Sequence, residues 1–259
     1  MNTVTGIFKS SLGRKYIMAG TGILLFMFVV GHLVGNLQVL GKPELINTYG
    51  HFLKSKPLLL WVVRLGLLAT VVAHIVTAIQ LSIENKAARG TEYAIKPTYG
   101  SSWQSRYMLL SGLVVLFFIL YHLAHFTVLL KIVNGVGDFT QLEFTLPGGV
   151  VTHDVYGMMI LGFQVWWVVL FYLIAMALLF AHLNHGLASM FQSLGLRNHV
   201  WWPRVQLFAK VASIAIFIGY AIIPTSIYLR IVGADYGNQV RQQMIQKSEA
   251  AGVLKEEKK

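Results

Sequence analysis

Runs dominated by Leu, Ile, Val, Phe, Gly and Ala recur along the chain at residues 16–40, 57–83, 107–132, 157–191 and 203–232, and polar residues gather between them. A helix rises about 1.5 Å per residue and a hydrocarbon layer is roughly 30 Å thick, so each run can cross a membrane. The pattern predicts an all-α membrane protein, with five transmembrane helices within residues 1–235 and a polar, solvated C-terminal tail at 236–259. The first run is interrupted by Gly31-His32 and Gly35-Asn36 and lacks a small-residue cleavage pattern. It therefore reads as a retained span rather than a signal peptide. The fourth run is longer than one crossing needs, which an extension beyond one interface would explain.

Composition agrees with this reading. Hydrophobic residues make up 56% of the chain and charged residues 12%, with a mean hydropathy of +0.63, leaving too little polar surface for a soluble fold. The net charge of +11 raises the question of nucleic acid, yet the basic residues sort by loop and form no single patch. Lys9, Arg14, Lys15, Lys86, Arg89, Lys96, Arg106, Arg197 and Arg204 fall on one side of the membrane, and Lys42, Lys54, Lys56 and Lys131 on the other. The positive-inside rule then places the N-terminus in the cytoplasm and the C-terminus outside. Arg241, Lys247 and the Lys255 to Lys259 cluster argue mildly against this, but tails weigh less than short loops.

The chain has no cysteine, which removes iron–sulfur clusters, disulfides and thioether-linked haem. It also has no HExxH motif, no Gly-rich phosphate loop and no carboxylate pair within a span. Catalysis by its own side chains is therefore not expected. What remains is histidine: His32, His74, His122 and His182 each lie inside a different apolar run. An imidazole in such surroundings is costly unless something satisfies it, so each is a functional candidate.

Their depths match in pairs. His32 and His122 fall roughly 23 Å from the inner ends of spans one and three. His74 and His182 fall on the inward-running spans two and four, toward the cytoplasmic half. Two facing imidazoles at one depth can fill both axial positions of an iron porphyrin, an arrangement suited to electron transfer rather than oxygen chemistry. Two stacked haems b follow. His125 and His185 lie three residues after His122 and His182, on roughly the same helix faces, and are either alternative ligands or hydrogen-bond partners beside the ligands. His51, His153 and His199 fall in loops and read as solvated. Gly31, Gly35 and Gly186, beside these histidines, suit either helix packing or the approach of a flat macrocycle.

Several stretches resemble a known family: SSLGRKYIMAGTG at Ser10 to Gly22, His32-Leu33 with Gly35-Asn36-Leu37, NTYGHFL at Asn47 to Leu53, SSWQSRYM at Ser101 to Met108, His122-Leu123, and HLNHGLASMFQSLG at His182 to Gly195. The family is the b558-type cytochrome b subunit of succinate dehydrogenases and fumarate reductases, the succinate:quinone oxidoreductases. The resemblance covers nearly the whole chain before about Tyr236. It implies that His32 and His122 ligate the distal haem and His74 and His182 the proximal one. His182 rather than His185 follows the family's pattern of a histidine three residues before Asn-Gly or His-Gly.

The resemblance further implies a membrane anchor in a bacterial cytoplasmic membrane. It would carry electrons between an iron–sulfur subunit, docked with a flavoprotein subunit on the inner face, and quinone, most simply menaquinone, near the distal haem. A higher oligomer of the complex is possible on this reading. Glu44, His51 and Arg64 are the outer-side polar residues available to quinone protons or haem propionates; Arg64 could equally snorkel to the interface. Ser11, Lys15 and Trp103 could meet propionates on the inner side, although Trp61, Trp103, Trp201 and Trp202 also read as interfacial aromatics. Two other classes stay open: the haem-b anchor of a hydrogenase or formate dehydrogenase, and a transporter. The latter lacks its usual internal repeat here, since Pro57, Pro203 and Pro224 form no symmetric set.

Overall fold

The computed structural model describes residues 10–87 and 108–250. Among them, five helices are long and apolar enough to cross a membrane: Ser11–Leu40, Pro57–Ala87, Met108–Phe126, Trp166–Ser193 and Trp202–Tyr228. This is a multi-pass, all-α membrane protein. In chain order the helices are α1 (Ser11–Leu37, continued by a 3-10 turn at Gln38–Leu40), α2 (Pro43–Lys54), α3 (Pro57–Ala87), α4 (Met108–Phe126), α5 (Lys131–Asn134), α6 (Val155–Phe163), α7 (Trp166–Ser193), α8 (Trp202–Tyr228) and α9 (Ala234–Ala250). A small antiparallel hairpin joins β1 (Glu143–Thr145) to β2 (Val151–His153), with Glu143 opposite His153 and Thr145 opposite Val151.

The spans differ from the apolar runs at informative places. The third run continues to residue 132, but α4 ends at Phe126, where Thr127 and Val128 both donate to the Leu123 carbonyl and Leu129 takes φ 60°. Residues 128–130 stay apolar without being helical, so composition alone cannot mark the stop. The fourth run is two helices. Asp154 caps α6 by accepting from the Gly157 amide, and every residue from Tyr156 to Phe163 is buried. Burial in protein and burial in lipid select the same residue types, which is why this helix merges with α7 in a hydropathy reading. The polar stretch at 42–56 contains a helix, α2, begun by Pro43 at its first turn.

Residues 251–259 lie outside the described residues, and residues 234–250 are not a solvated tail. They form α9, which packs on α6. Val240 is buried, and Tyr236 donates to Asp154 at 2.7 Å. Gly233, at φ 70°, makes the turn into this helix at a point where a Cβ would collide with Ile160 and crowd the Tyr156 hydroxyl. A side chain there would meet both the left-handed backbone and the packed core.

The chain divides into two compact units, Met1–His32 with Leu58–Leu116 and Ala177–Phe217, and Leu33–Pro57 with Phe117–Met176 and Ile218–Lys259. Among its described residues the first is entirely helical apart from the turn after Ser193. It packs through aromatic edges, Phe26 and Phe191 on Phe208 and Phe180 on Phe217. Near the start of α1, Arg14 pairs with Glu84 of α3, and Ser11 donates to the same carboxylate at 3.0 Å.

The second unit holds the larger buried core, built on Val39, Ile46, Tyr156, Met159, Ile160, Phe163, Val168, Tyr172, Ile223 and Ile227. Its polar centre is Asp154, 1% exposed, whose carboxylate accepts from Asn47 Nδ2 at 2.9 Å, the Gly157 amide at 2.9 Å and the Tyr236 hydroxyl. Asn47 in turn accepts from the Tyr156 amide at 3.0 Å. Helices α2, α6 and α9 are joined through one carboxylate. Tyr236→Phe removes a donor from that buried acceptor, at a cost of about 1–3 kcal/mol. The expected outcome is faster amide hydrogen exchange across residues 234–247, with exchange in the first unit unchanged.

Candidate functional site

The first unit brings two histidines together. His74, midway along α3, and His182, in the second half of α7, have ring centroids 6.5 Å apart and planes inclined by 61°. A bond of about 2 Å from each imidazole nitrogen to a metal, plus the half-width of each ring, separates two axial imidazoles by about 6 Å. The two rings are therefore at the separation at which each could give one nitrogen to a shared metal ion.

Each ring has a hydroxyl on its other nitrogen. Thr21 Oγ1 lies 2.9 Å from His74 Nδ1, and Ser111 Oγ lies 3.2 Å from His182 Nδ1. Each hydroxyl residue is followed by glycine. A Cβ on Gly22 would stand 3.8 Å from His74 Cε1, and one on Gly112 would stand 3.4 Å from His182 Cε1. Each ring therefore has one edge against a glycine, where no side chain intervenes. Two imidazole donors at this spacing are residues that could hold a haem iron.

His185 turns elsewhere: its Nε2 is 3.1 Å from Ser189 Oγ, one turn along the same helix. His32 stacks on Phe28 in the first unit, with centroids 5.3 Å apart. In the second unit His122 stacks on Phe118 and places its Nδ1 3.2 Å from the Tyr172 hydroxyl. His125 shares that hydroxyl, also at 3.2 Å, but is fully buried against Phe126, Phe139 and Gly162.

The remaining candidates scatter. Ser11 is bound to Glu84, and Lys15 is exposed. Arg64 lies 5.3 Å over the Trp61 ring on an exposed helix face, an arrangement repeated by Arg197 over Trp202 and Arg204 over Trp201. Such pairs suit a membrane interface, where the ring is half apolar and the guanidinium wet. Trp103 lies outside the described residues. Glu44 lines an open groove of about 450 Å³ with Gln38, Leu45, Thr48, Tyr49 and Phe52, and its Oε2 is buried without a hydrogen-bond partner among the described residues. His51 sits half-buried on α2.

Sequence reasoning missed Thr21, Ser111 and Tyr172, the partners that orient the imidazoles. The available signal was the hydroxyl–glycine dipeptide, Thr21-Gly22 and Ser111-Gly112, recurring in two spans that carry no ligand of this pair. Among the described residues no cluster of three or more His, Asp or Glu side chains is arranged to hold a metal ion. No family model, curated protein or solved structure matches the chain.

His153 departs from its reading as a solvated residue. Its Nε2 is buried without a partner among the described residues. Burial, with Lys54 adding to it and Asp154 opposing, holds its pKa below the ordinary 6.5. The folded state therefore binds fewer protons than the unfolded one as pH falls below that value. Stability from neutral His153 is fully present above about pH 6.5 and is lost as pH falls through the depressed value. Protection of the 143–153 hairpin amides, corrected for intrinsic exchange, is expected to fall from pH 7 to 5, and His153→Gln is expected to flatten that fall.

Proposed function

We propose that this chain is the membrane-anchor cytochrome b subunit of a bacterial succinate:quinone oxidoreductase, passing electrons between an iron–sulfur subunit and quinone. The observation that carries the reading is the His74–His182 pair. Two donors alone leave a metal ion mostly uncoordinated, so the arrangement suits a metal whose other four ligands come with it in a macrocycle. Haem b, when bound, supplies reversible one-electron iron chemistry. His74 and His182 would hold the proximal group, and the resemblance implies His32 and His122 as the ligands of the distal one. The stretch from His182 to Gly195 favours this family over the anchors of other respiratory complexes.

On this reading the N-terminus is cytoplasmic, and α1 and α3 present their basic ends to the iron–sulfur subunit and its flavoprotein partner. Arg14 is already neutralised by Glu84. Lys86, with Arg89 and Arg106 of the stretch that follows it in sequence, is then the main source of attraction for an acidic partner. The groove at Glu44 and Tyr49 offers menaquinone an apolar wall and one carboxylate.

Pyridine haemochrome quantification of the purified complex is expected to give two haems b per chain. His74→Ala and His182→Ala should each remove one haem and cut the electron path from the iron–sulfur donor. His125→Ala and His185→Ala should keep both, since these side chains make hydrogen bonds that an axial ligand does not need to survive. A ratio near one haem in the unaltered complex would sink the two-haem assignment, and haem loss from His185→Ala but not His182→Ala would reverse the choice of ligand.

Sidedness has a separate expectation. Reversing charge at Lys86, Arg89 and Arg106 together should lower recovery of this chain through a tagged iron–sulfur subunit, more so at low salt where steering is strongest. The same change at Lys42, Lys54 and Lys56 should leave recovery intact. The opposite result would invert the topology.

A further inference from the structure

We propose that Thr21 and Ser111 are positioning residues that hold His74 and His182 with the proton on Nδ1, so that Nε2 of each ring is the atom presented to iron. The inference rests on the haem reading above and concerns which nitrogen is offered and how strongly it donates. A hydroxyl has one hydrogen and two lone pairs. Thr21 Oγ1 donates its hydrogen to the Ile17 carbonyl at 2.8 Å, with Met18 also in reach at 3.1 Å. Ser111 Oγ donates to the Met108 carbonyl at 2.9 Å. In both cases the carbonyl contact is shorter than the contact to imidazole, which is 2.9 Å for Thr21 and 3.2 Å for Ser111.

An oxygen that has spent its hydrogen on a carbonyl shows the ring only lone pairs. The facing nitrogen must then carry the hydrogen, because two lone pairs at hydrogen-bond distance repel where water cannot intervene. A neutral imidazole has a single N–H, so a proton on Nδ1 leaves Nε2 bare. The device is built twice from different helices, α1 for His74 and α4 for His182, each time with glycine next in sequence and no Cβ beside the ring. Nothing about helix packing alone asks for the same dipeptide at both rings.

The consequence is electronic as well as geometric. A hydrogen bond from Nδ1–H to an oxygen makes the opposite nitrogen a stronger donor. A stronger donor favours the more highly charged, oxidised iron and so opposes reduction. Removing the acceptor oxygen should ease reduction of the proximal haem while leaving the haem held by His32 and His122 as an internal reference.

The test is an optical redox titration of the purified complex carrying Thr21→Val, which keeps the shape and loses the hydroxyl, Ser111→Ala, or Thr21→Ser, which restores it. The proposal expects both haems to be retained in Thr21→Val and Ser111→Ala. The ratio of reduced to oxidised proximal haem at fixed potential should rise about tenfold, an upward midpoint shift of about 59 mV. The distal midpoint should not move, and Thr21→Ser should behave as the unaltered protein. Loss of proximal haem from Thr21→Val with retention in Thr21→Ser also supports the hydroxyl's role. Unmoved midpoints with both haems present, or equal haem loss in Thr21→Val and Thr21→Ser, would overturn it. An unaltered complex without b-type haem bands would instead overturn the functional reading itself.

Discussion

In hydrocarbon no water completes a hydrogen bond, so every polar side chain in a span must be satisfied by protein. Most hydroxyls in these helices meet that demand locally. Thr70 donates to the Gly66 carbonyl at 2.7 Å, Ser213 to Ala209 at 2.6 Å and Ser226 to Ile223 at 3.1 Å, each within its own helix. Such back-bonding is what a lone hydroxyl does in an apolar helix and says nothing about function. Thr21 and Ser111 make the same local bond and then face an imidazole from another helix. The second contact distinguishes them, and it binds α1 to α3 and α4 to α7 at the level where His74 and His182 meet.

Outside the spans the same constraint takes a different form. Asp154 is almost fully buried, yet three donors converge on it from α2, the start of α6 and α9. A carboxylate so placed specifies geometry as much as it stabilises, because each donor must arrive from a particular direction. Burial and the bond to Asp154 both raise the Tyr236 pKa, so the phenol keeps its proton and remains a donor throughout the physiological range. Farther along, Lys247 donates to Glu143 at 3.1 Å and to the Gln141 carbonyl at 3.2 Å, fastening the other end of α9 to the hairpin region. Exposed as that pair is, it adds little to stability compared with Tyr236.

Legibility in the sequence followed the strength of the physical signal. Five apolar runs marked five spans, because crossing hydrocarbon demands about 20 apolar residues and few other folds do. The break at Gln164 was invisible because α6 is apolar for a different reason, burial in protein. Helix α9 was invisible for the converse reason: its apolar residues, Tyr236, Val240 and Met244 among them, are few, and its packing depends on Gly233 and Gly237 fitting against Ile160 and Gln164. The histidines could be singled out one by one, since a buried imidazole is costly wherever it falls. Their partners could not, since a threonine or serine in a span is common and cheap, and only coordinates tell a self-satisfied hydroxyl from one that also meets a ring.

The second unit shows how much a partner's hydrogen count matters. His122 and His125 both place Nδ1 at 3.2 Å from the one hydroxyl of Tyr172. That hydroxyl can donate to one ring only, so at least one of the two imidazoles must carry its proton on Nδ1 and donate to the oxygen. His125 Nε2 is buried without a partner among the described residues, and an orphaned buried N–H is rarer than an unpaired acceptor. The proton of His125 therefore belongs on Nδ1. His122 meets an oxygen already engaged by its neighbour, whereas His74 and His182 each have an oxygen on their own terms. The imidazoles of the first unit are fixed one at a time, and those of the second are coupled through a shared phenol, so a change at Tyr172 reaches both His122 and His125 while a change at Thr21 reaches His74 alone.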